Sequence, residues 1–332
     1  MVEVGWSSEI KYMEQSKKKF KLFKGYSKFE KKNFPFVYLL ILIPVAQFAV
    51  FWIYVNFSSI LLAFQDADGA WTFKNFLDVF KGLVGPDNFG YNLAEMIGRS
   101  SLLWAVVNVI AFPISIFTCY MLYKYTKGHL FFRICFLIPS LVGVVVWTTL
   151  IRYMVAYNGP ITELLRMMNV NLPEAALRSG LFSSETTAYP TIIVVTFLMS
   201  VVGNNVVLTG AYARIPEELF ESAQIDGVSL WREVFNIAVP CVWPTIATLL
   251  TFSFCTVLTY DNGVYVYSMG TGKPGMSNMG FYFQYMTYRI SSAPGTSYNY
   301  PAAVGVFITI ISVPIALIAR KVLEKAVEPT DF

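Results

Sequence analysis

An all-α integral membrane protein of six transmembrane helices, with both termini in the cytoplasm, is the fold class this sequence predicts. Three observations carry the prediction. Of 332 residues, 55% are hydrophobic. Only 14% are charged, against about 25% in a soluble domain, which is too few to cover the surface of a soluble fold this long. Six apolar runs of the length that crosses a bilayer, about 20 residues, recur along the chain. A mean hydropathy of +0.53 agrees, and composition excludes disordered, collagen-like and disulfide-scaffold classes.

Residues 1–35 form a basic cytoplasmic segment. Its run Lys17-Lys18-Lys19-Phe20-Lys21 reads as a positive-inside flank that could also lie on anionic lipid. Phe36 to Phe64 is the first span, too long for a signal peptide and without a small-residue cleavage site; with the loop that follows, it makes a segment 36–93. The other runs are Ile97 to Tyr123, Leu130 to Tyr157, Ala188 to Tyr212, Ile237 to Tyr260 and Tyr300 to Ala319. They define a core at 94–320, followed by a cytoplasmic tail at 321–332. No recurring period-2 stretches suggest a membrane barrel. Glycine-, proline- and asparagine-rich stretches at Gly82 to Asn92, Gly270 to Asn278 and Ala293 to Asn299 read as ordered outside turns.

Lysine and arginine bias sets orientation. With the N-terminus inside, the inner segments hold 17 of the 25 basic residues and the outer ones eight. The net charge of +4 is too small and too unevenly spread to call for a nucleic-acid partner.

Chemistry-bearing residues are sparse. Cys119, Cys135, Cys241 and Cys255 lie in apolar runs and read as small packing residues. No cysteine–histidine spacing suggests a metal. His129 is the only histidine, which leaves little for a Ser-His-Asp site. Gly270-Thr271-Gly272-Lys273-Pro274-Gly275 lacks the spacing of a phosphate loop. The runs hold almost no ionisable residue of the kind that marks a proton relay; Arg152 lies near the outer end of the third run and Asp261 just past the fifth. An energy source would then sit in another subunit.

The most informative segment lies between the fourth and fifth spans, at 213–240. Pro216 suits a helix's first position, Glu217 and Glu218 favour its positive end, and Gly227 can end it with a positive φ. That predicts a capped helix of about eleven residues, about 16 Å long. Leu219 and Phe220, beside small Ser222 and Ala223, would let it seat in a partner's groove; an amphipathic helix lying on the membrane, with no partner, fits the same pattern. Ser229 can cap a second helix through Trp231 and Phe235, interrupted by Pro240 and Pro244.

These residues resemble a known family. Glu221-Ser222-Ala223, then Gly227, nine residues, and Ile237-Ala238-Val239-Pro240 are similar to the EAA loop of bacterial ABC importer permeases, with Ser222 for the first alanine and Val239 for leucine. The flanking Ile-Pro-Glu-Glu-Leu and Ile-Asp-Gly resemble the sugar-importing branch, of maltose and glycerol-phosphate type. The resemblance covers about 94–320 and implies the type I ABC importer permease fold in the bacterial cytoplasmic membrane. It implies four partners besides membrane lipid: a second homologous permease, two cytoplasmic ATPase subunits and an extracellular solute-binding protein. This chain is then no enzyme and holds no cofactor, ATP and magnesium being bound by the ATPase subunits. Carried over by position, Glu221, Ala223 and Gly227 make the coupling contact, with Asp226 and Arg214 on its rim.

Along the fourth run Thr196, Ser200 and Asn204 recur at i, i+4 and i+8, and along the fifth Ser253, Thr256 and Tyr260 recur at i, i+3 and i+7, beside Phe252. On helices each set shares a face. Hydroxyls, amides and flat rings without charge suit a sugar, although such residues also join helices to one another. The sequence therefore predicts the translocation path of a carbohydrate importer, for a solute of oligosaccharide size. The alternatives are a related importer for a peptide, polyamine or glycerophosphodiester, and a stand-alone carrier or channel.

Overall fold

The computed structural model describes residues 28–87, 89–124, 126, 128–268, 277–292 and 297–326. The basic run at 17–21 and the loop around Lys273 lie outside the described residues. Among those described, helices dominate and no strand forms; the one isolated bridge joins Gln65 and Trp71. The chain divides into two compact units, 1–58 and 59–332. Residues 59–93 fall within the larger unit.

In the smaller unit the apolar helix Lys28–Phe48 passes into a π-helical stretch, Ala49–Tyr54. Trp52 stacks on Phe48 with ring centres 5.1 Å apart.

In the larger unit the second, fourth and sixth runs are long helices, with spans at Leu93–Lys124, Thr186–Tyr212 and Asn299–Ala326. Asn92 caps the first of these by accepting the Glu95 N–H at 3.2 Å. The third run departs from expectation. Instead of one span it forms His129–Leu141 and Val144–Met154, and the axes of Phe131–Pro139 and Val144–Met154 differ by 93°. Pro139 brings no N–H to the ladder, and Val142 and Gly143 are extended. The Trp147 indole then donates to the Pro139 carbonyl at 2.9 Å, pinning the corner.

The fifth run also differs. Its span is Leu230–Phe254, starting and ending earlier than the hydropathy suggested. Pro240 and Pro244 do not interrupt it: a π-helical stretch at Val234–Ala238 shifts the hydrogen-bond register just ahead of Pro240, and Pro244 lies inside the α-helix Val239–Phe254. Ser229 stands at the cap position, without a capping side-chain hydrogen bond. Beyond Phe254 the chain runs through three-residue turns, such as Thr256 N–H to the Ser253 carbonyl at 3.0 Å.

Two hydrophobic cores organise this unit, one at each end of its long helices. Leu93–Lys124 gives Leu93, Met96 and Leu103 to one core, and Phe112, Cys119 and Tyr120 to the other. Thr186–Tyr212 divides likewise, with Ala188 and Ile192 in the first and Leu208 and Tyr212 in the second. The described residues of 64–87, 89–92, 155–184, 258–268, 277–292 and 297–308 gather at the first end. The loop 213–234 gathers at the second, where Trp243 also donates to the Leu323 carbonyl at 2.9 Å.

Candidate functional site

The helix foreseen between the fourth and fifth spans is present as Glu217–Ile225, nine residues long. Pro216 is its N-cap rather than its first residue, with φ −57° and ψ 133°, and Glu217 and Glu218 fill the first turn. At the other end the Gly227 N–H reaches the Gln224 carbonyl at 3.1 Å, and the Val228 N–H reaches Ala223 at 3.0 Å. This 5→2 and 6→1 pair is a Schellman stop. It requires the left-handed backbone that Gly227 adopts, φ +65°, while a Cβ there would meet nothing within 4 Å. Strain alone selects glycine at this position.

The helix has two distinct faces. Phe220 is buried in the second core, and Ala223 is buried beside it on the same helix. Glu217, Glu218, Glu221, Ser222, Gln224, Asp226 and Gly227 are exposed, as is Arg214 before the helix, and Ile225 is 86% exposed. Ala223, which the motif placed in the partner contact, therefore faces this chain's own interior. The outward surface is acidic, with one large apolar side chain, Ile225, standing out of it.

Under Phe220 lies a charge pair that the sequence did not reveal. Oε1 of buried Glu233 takes hydrogen bonds from the Tyr120 hydroxyl and the Lys124 ammonium. The same ammonium stands 4.3 Å from the centre of the Phe220 ring. Lys124 and Glu233 are 109 residues apart, and each looks like an ordinary charge flanking an apolar run. Long-range pairing of this kind leaves no local signal.

The polar residues expected along the solute path are sorted by the fold. Thr196 is fully buried, and its hydroxyl accepts from the Asn262 amide at 3.2 Å. Ser200 lies beside the Tyr260 side chain. Asn204 marks a one-residue break between the helices Glu185–Gly203 and Asn205–Tyr212. Thr256 and Tyr260 lie beyond the end of the fifth helix, so the face they were to share with Ser253 is not helical. Phe252 is 70% exposed, Thr256 is exposed, and Asn204 and Ser253 are half-buried. Phe252 also lines a cleft of about 490 Å³ with Thr248, Thr251 and Arg320. The Thr248 and Thr251 hydroxyls bond their own helix, to the Pro244 and Ala247 carbonyls at 2.8 and 2.7 Å.

At the first end of the bundle Asp261 anchors a polar knot. Its carboxylate accepts the Val264 N–H at 3.0 Å and the Gln284 amide at 2.9 Å. Asn278 donates to the Tyr260 carbonyl at 3.1 Å and accepts the Phe281 N–H at 2.8 Å, starting the helix Met279–Ser292. Arg99 reaches the Ser277 carbonyl at 3.2 Å. Burial pushes the Asp261 carboxyl above the ordinary carboxylate range, although these donors oppose the shift. Gly280 permits the close approach, since a Cβ there would stand 2.1 Å from that of Asp261.

The arrangement is that of a membrane-spanning bundle with one presented helix, and its fold is that of an ABC importer chain. A chain in the crystal structure of a bacterial ABC transporter involved in the import of the acidic polysaccharide alginate superposes with a TM-score of 0.70. The match covers 89% of this chain and 96% of that one at 20% identity. A chain of a bacterial alginate ABC transporter in complex with alginate pentasaccharide-bound periplasmic protein gives 0.68 at 18% identity. In sequence the chain is similar to the maltodextrin transport system permease proteins MdxF of Bacillus subtilis and MalC of Streptococcus pneumoniae. MdxF is 25% identical over 266 residues, 75% of this chain and 58% of that protein. MalC is 26% identical over 310 residues, 87% and 69%. The maltose/maltodextrin permease MalF of Klebsiella aerogenes is 22% identical over 278 residues, 77% of this chain and 52% of that one. The chain thus spans little more than half the length of MdxF and MalF. No family model matches it. The resemblance to sugar-importing ABC permeases, read from the loop at 213–240, is supported by these relatives, and the chain is a multi-pass membrane protein.

Proposed function

We propose that this chain is the permease subunit of an ATP-driven importer, forming part of the translocation path for a carbohydrate of oligosaccharide size. The observation that carries the proposal is the exposed, stopped helix Glu217–Ile225, rooted in the core by Phe220, with Ala223 also turned inward and buried. A helix lying on the membrane without a partner would turn its apolar face to lipid; here that face is already occupied by the chain's own core. Glu221, Gln224, Ile225 and Asp226 remain to engage a cytoplasmic ATPase subunit, with Arg214 and Gly227 at the edges. Two such ATPase subunits, binding ATP and magnesium, a second permease and an extracellular binding protein complete the machine. That the relatives are maltodextrin and maltose permeases supports a sugar cargo. Asn204, Phe252, Ser253 and Thr256 would face the solute, while Thr196, Ser200 and Tyr260 hold the wall behind them.

The test is Gly227→Asp, in vesicles containing the whole transporter and its binding protein, with labelled maltodextrin as probe. An aspartate side chain strains the left-handed backbone by about 1 kcal/mol and adds a negative charge at a helix C-terminus. Uptake should be abolished and ATPase co-purification weakened, although the chain still inserts. Gly227→Ala, with strain but no charge and open space for its methyl, should be milder. Wild-type uptake in Gly227→Asp would exclude the docking role.

A further inference from the structure

We infer that the pair between half-buried Lys124 and buried Glu233 is a positioning latch, holding the second and fifth span helices together as one body that moves with the docking helix. This inference rests on the permease reading. Three elements meet at Glu233 Oε1: the last turn of Leu93–Lys124, the first turn of the helix entering the fifth span, and, through Phe220 on the ammonium, the docking helix. Glu233 and Tyr120 are buried. The Phe220 ring is also 6.2 Å from that of Tyr120, and Tyr120 packs edge-on against Tyr212 at 5.5 Å.

The same two span helices are tied again near their other ends. The Trp104 indole donates to the Ser253 carbonyl at 2.9 Å, and its ring packs on Phe254 at 4.7 Å. Between the two ties the fifth helix runs from Leu230 to Phe254 with only a π-helical stretch and no loop. A displacement entering at Phe220 therefore reaches Ser253 and Phe252, on the proposed solute surface, without passing through a flexible joint.

Directed bonds matter here because apolar surfaces slide. A ring that moves over methyl groups exchanges one contact for another at little cost. A ring that moves off a half-buried ammonium gives up its cation–π contact, and a carboxylate with two donors on one oxygen resists rotation. Buried ion pairs are poor stabilisers compared with well-packed apolar pairs of similar volume, whereas removing one partner alone is damaging. An element that holds geometry without adding stability is what a force-transmitting joint requires.

That difference gives the experiment. The complete transporter is reconstituted with Lys124→Met/Glu233→Leu, an apolar pair, and separately with Glu233→Gln, which keeps the shape and the Tyr120 acceptor. The readouts are maltodextrin uptake, its KM, binding-protein stimulation of ATP hydrolysis, thermal stability and ATPase co-purification. A latch predicts that the double variant inserts, keeps its melting temperature and retains its ATPase subunits. Its uptake falls at least tenfold at unchanged KM, and hydrolysis loses most of its dependence on the binding protein. Glu233→Gln should lose at least threefold in uptake with co-purification intact. A pair that only stabilises predicts wild-type uptake in the apolar variant, and that result overturns the latch. Should the double variant fail to insert, wild-type uptake in Glu233→Gln overturns it equally. If the wild-type chain captures no ATPase subunit, the permease reading itself fails, and the latch falls with it.

Discussion

Among single residues, Gly280 and Asp261 show how tightly the first end of the bundle is built. A methyl at Gly280 would stand 2.1 Å from the Asp261 Cβ, so Gly280→Ala forces the two segments apart. Overpacking of this kind costs about 1–3 kcal/mol, and a clear fall in melting temperature should follow in the purified protein. Asp261 itself makes stability depend on pH. Its folded carboxyl lies above the ordinary value, so the native state binds that proton more tightly than the unfolded chain does. Ionising it therefore costs stability: the cost is absent below the ordinary carboxylate range, grows as pH rises through the shifted value, and is complete above it. Asp261→Asn removes the charge, and the Gln284 amide can turn its oxygen toward the new amide group. The melting-temperature difference between this variant and wild type should move in the variant's favour as pH is raised from 4 to 7. A difference that stays constant with pH would show that burial of this carboxylate carries no cost. The sequence placed Asp261 just past an apolar run and went no further, because its partners at Asn278 and Gln284 come from another helix. Gly227 was legible in advance, since a helix stop is a local pattern of residue types.

Scaled up to elements, what was readable depended on whether the cause was local. The helix follows from Pro216, two glutamates and Gly227 within twelve positions, and it formed one residue late, with Pro216 as its N-cap rather than its first residue. The corner in the third run was missed although Pro139 and Gly143 were in view, because hydropathy does not register direction; Trp147, eight residues on, fixes the bend. Prolines misled in the opposite sense in the fifth span, where a π-helical stretch accommodates Pro240. The two faces of the docking helix make a separable prediction. Phe220→Ala empties a buried site and removes the ring over Lys124, so it should destabilise the protein by about 3–5 kcal/mol. Ile225→Ser alters an exposed position and should stay within about 0.5 kcal/mol of wild type. ATPase co-purification should nevertheless fall markedly in Ile225→Ser. Thermal melts beside pull-downs of the two variants check this, and undiminished co-purification in Ile225→Ser would place the partner contact on other residues.

Across the whole molecule, the two cores decide which segments share a side of the membrane, independently of any charge count. Leu93–Lys124 and Thr186–Tyr212 each contribute to both cores, so the segment 64–92 lies at the opposite end of the bundle from the docking helix. The absolute direction is the proposal drawn from the basic-residue bias, which puts the helix Glu217–Ile225 inside. The two inferences fail differently, which makes them separable in one experiment. In a chain whose four cysteines are replaced by alanine, a single cysteine is introduced at Ser222 or at Val84; both positions are exposed, Val84 by 90%. A membrane-impermeant maleimide should label Ser222→Cys only in inside-out vesicles and Val84→Cys only in right-side-out ones. Labelling of both from the same side would contradict the two-ended fold. Labelling with the sides exchanged would leave the fold intact and reverse the orientation, placing Glu217–Ile225 where no cytoplasmic ATPase could reach it. The second outcome would remove the physical basis for energy coupling through this loop, however well the bundle superposes on an importer.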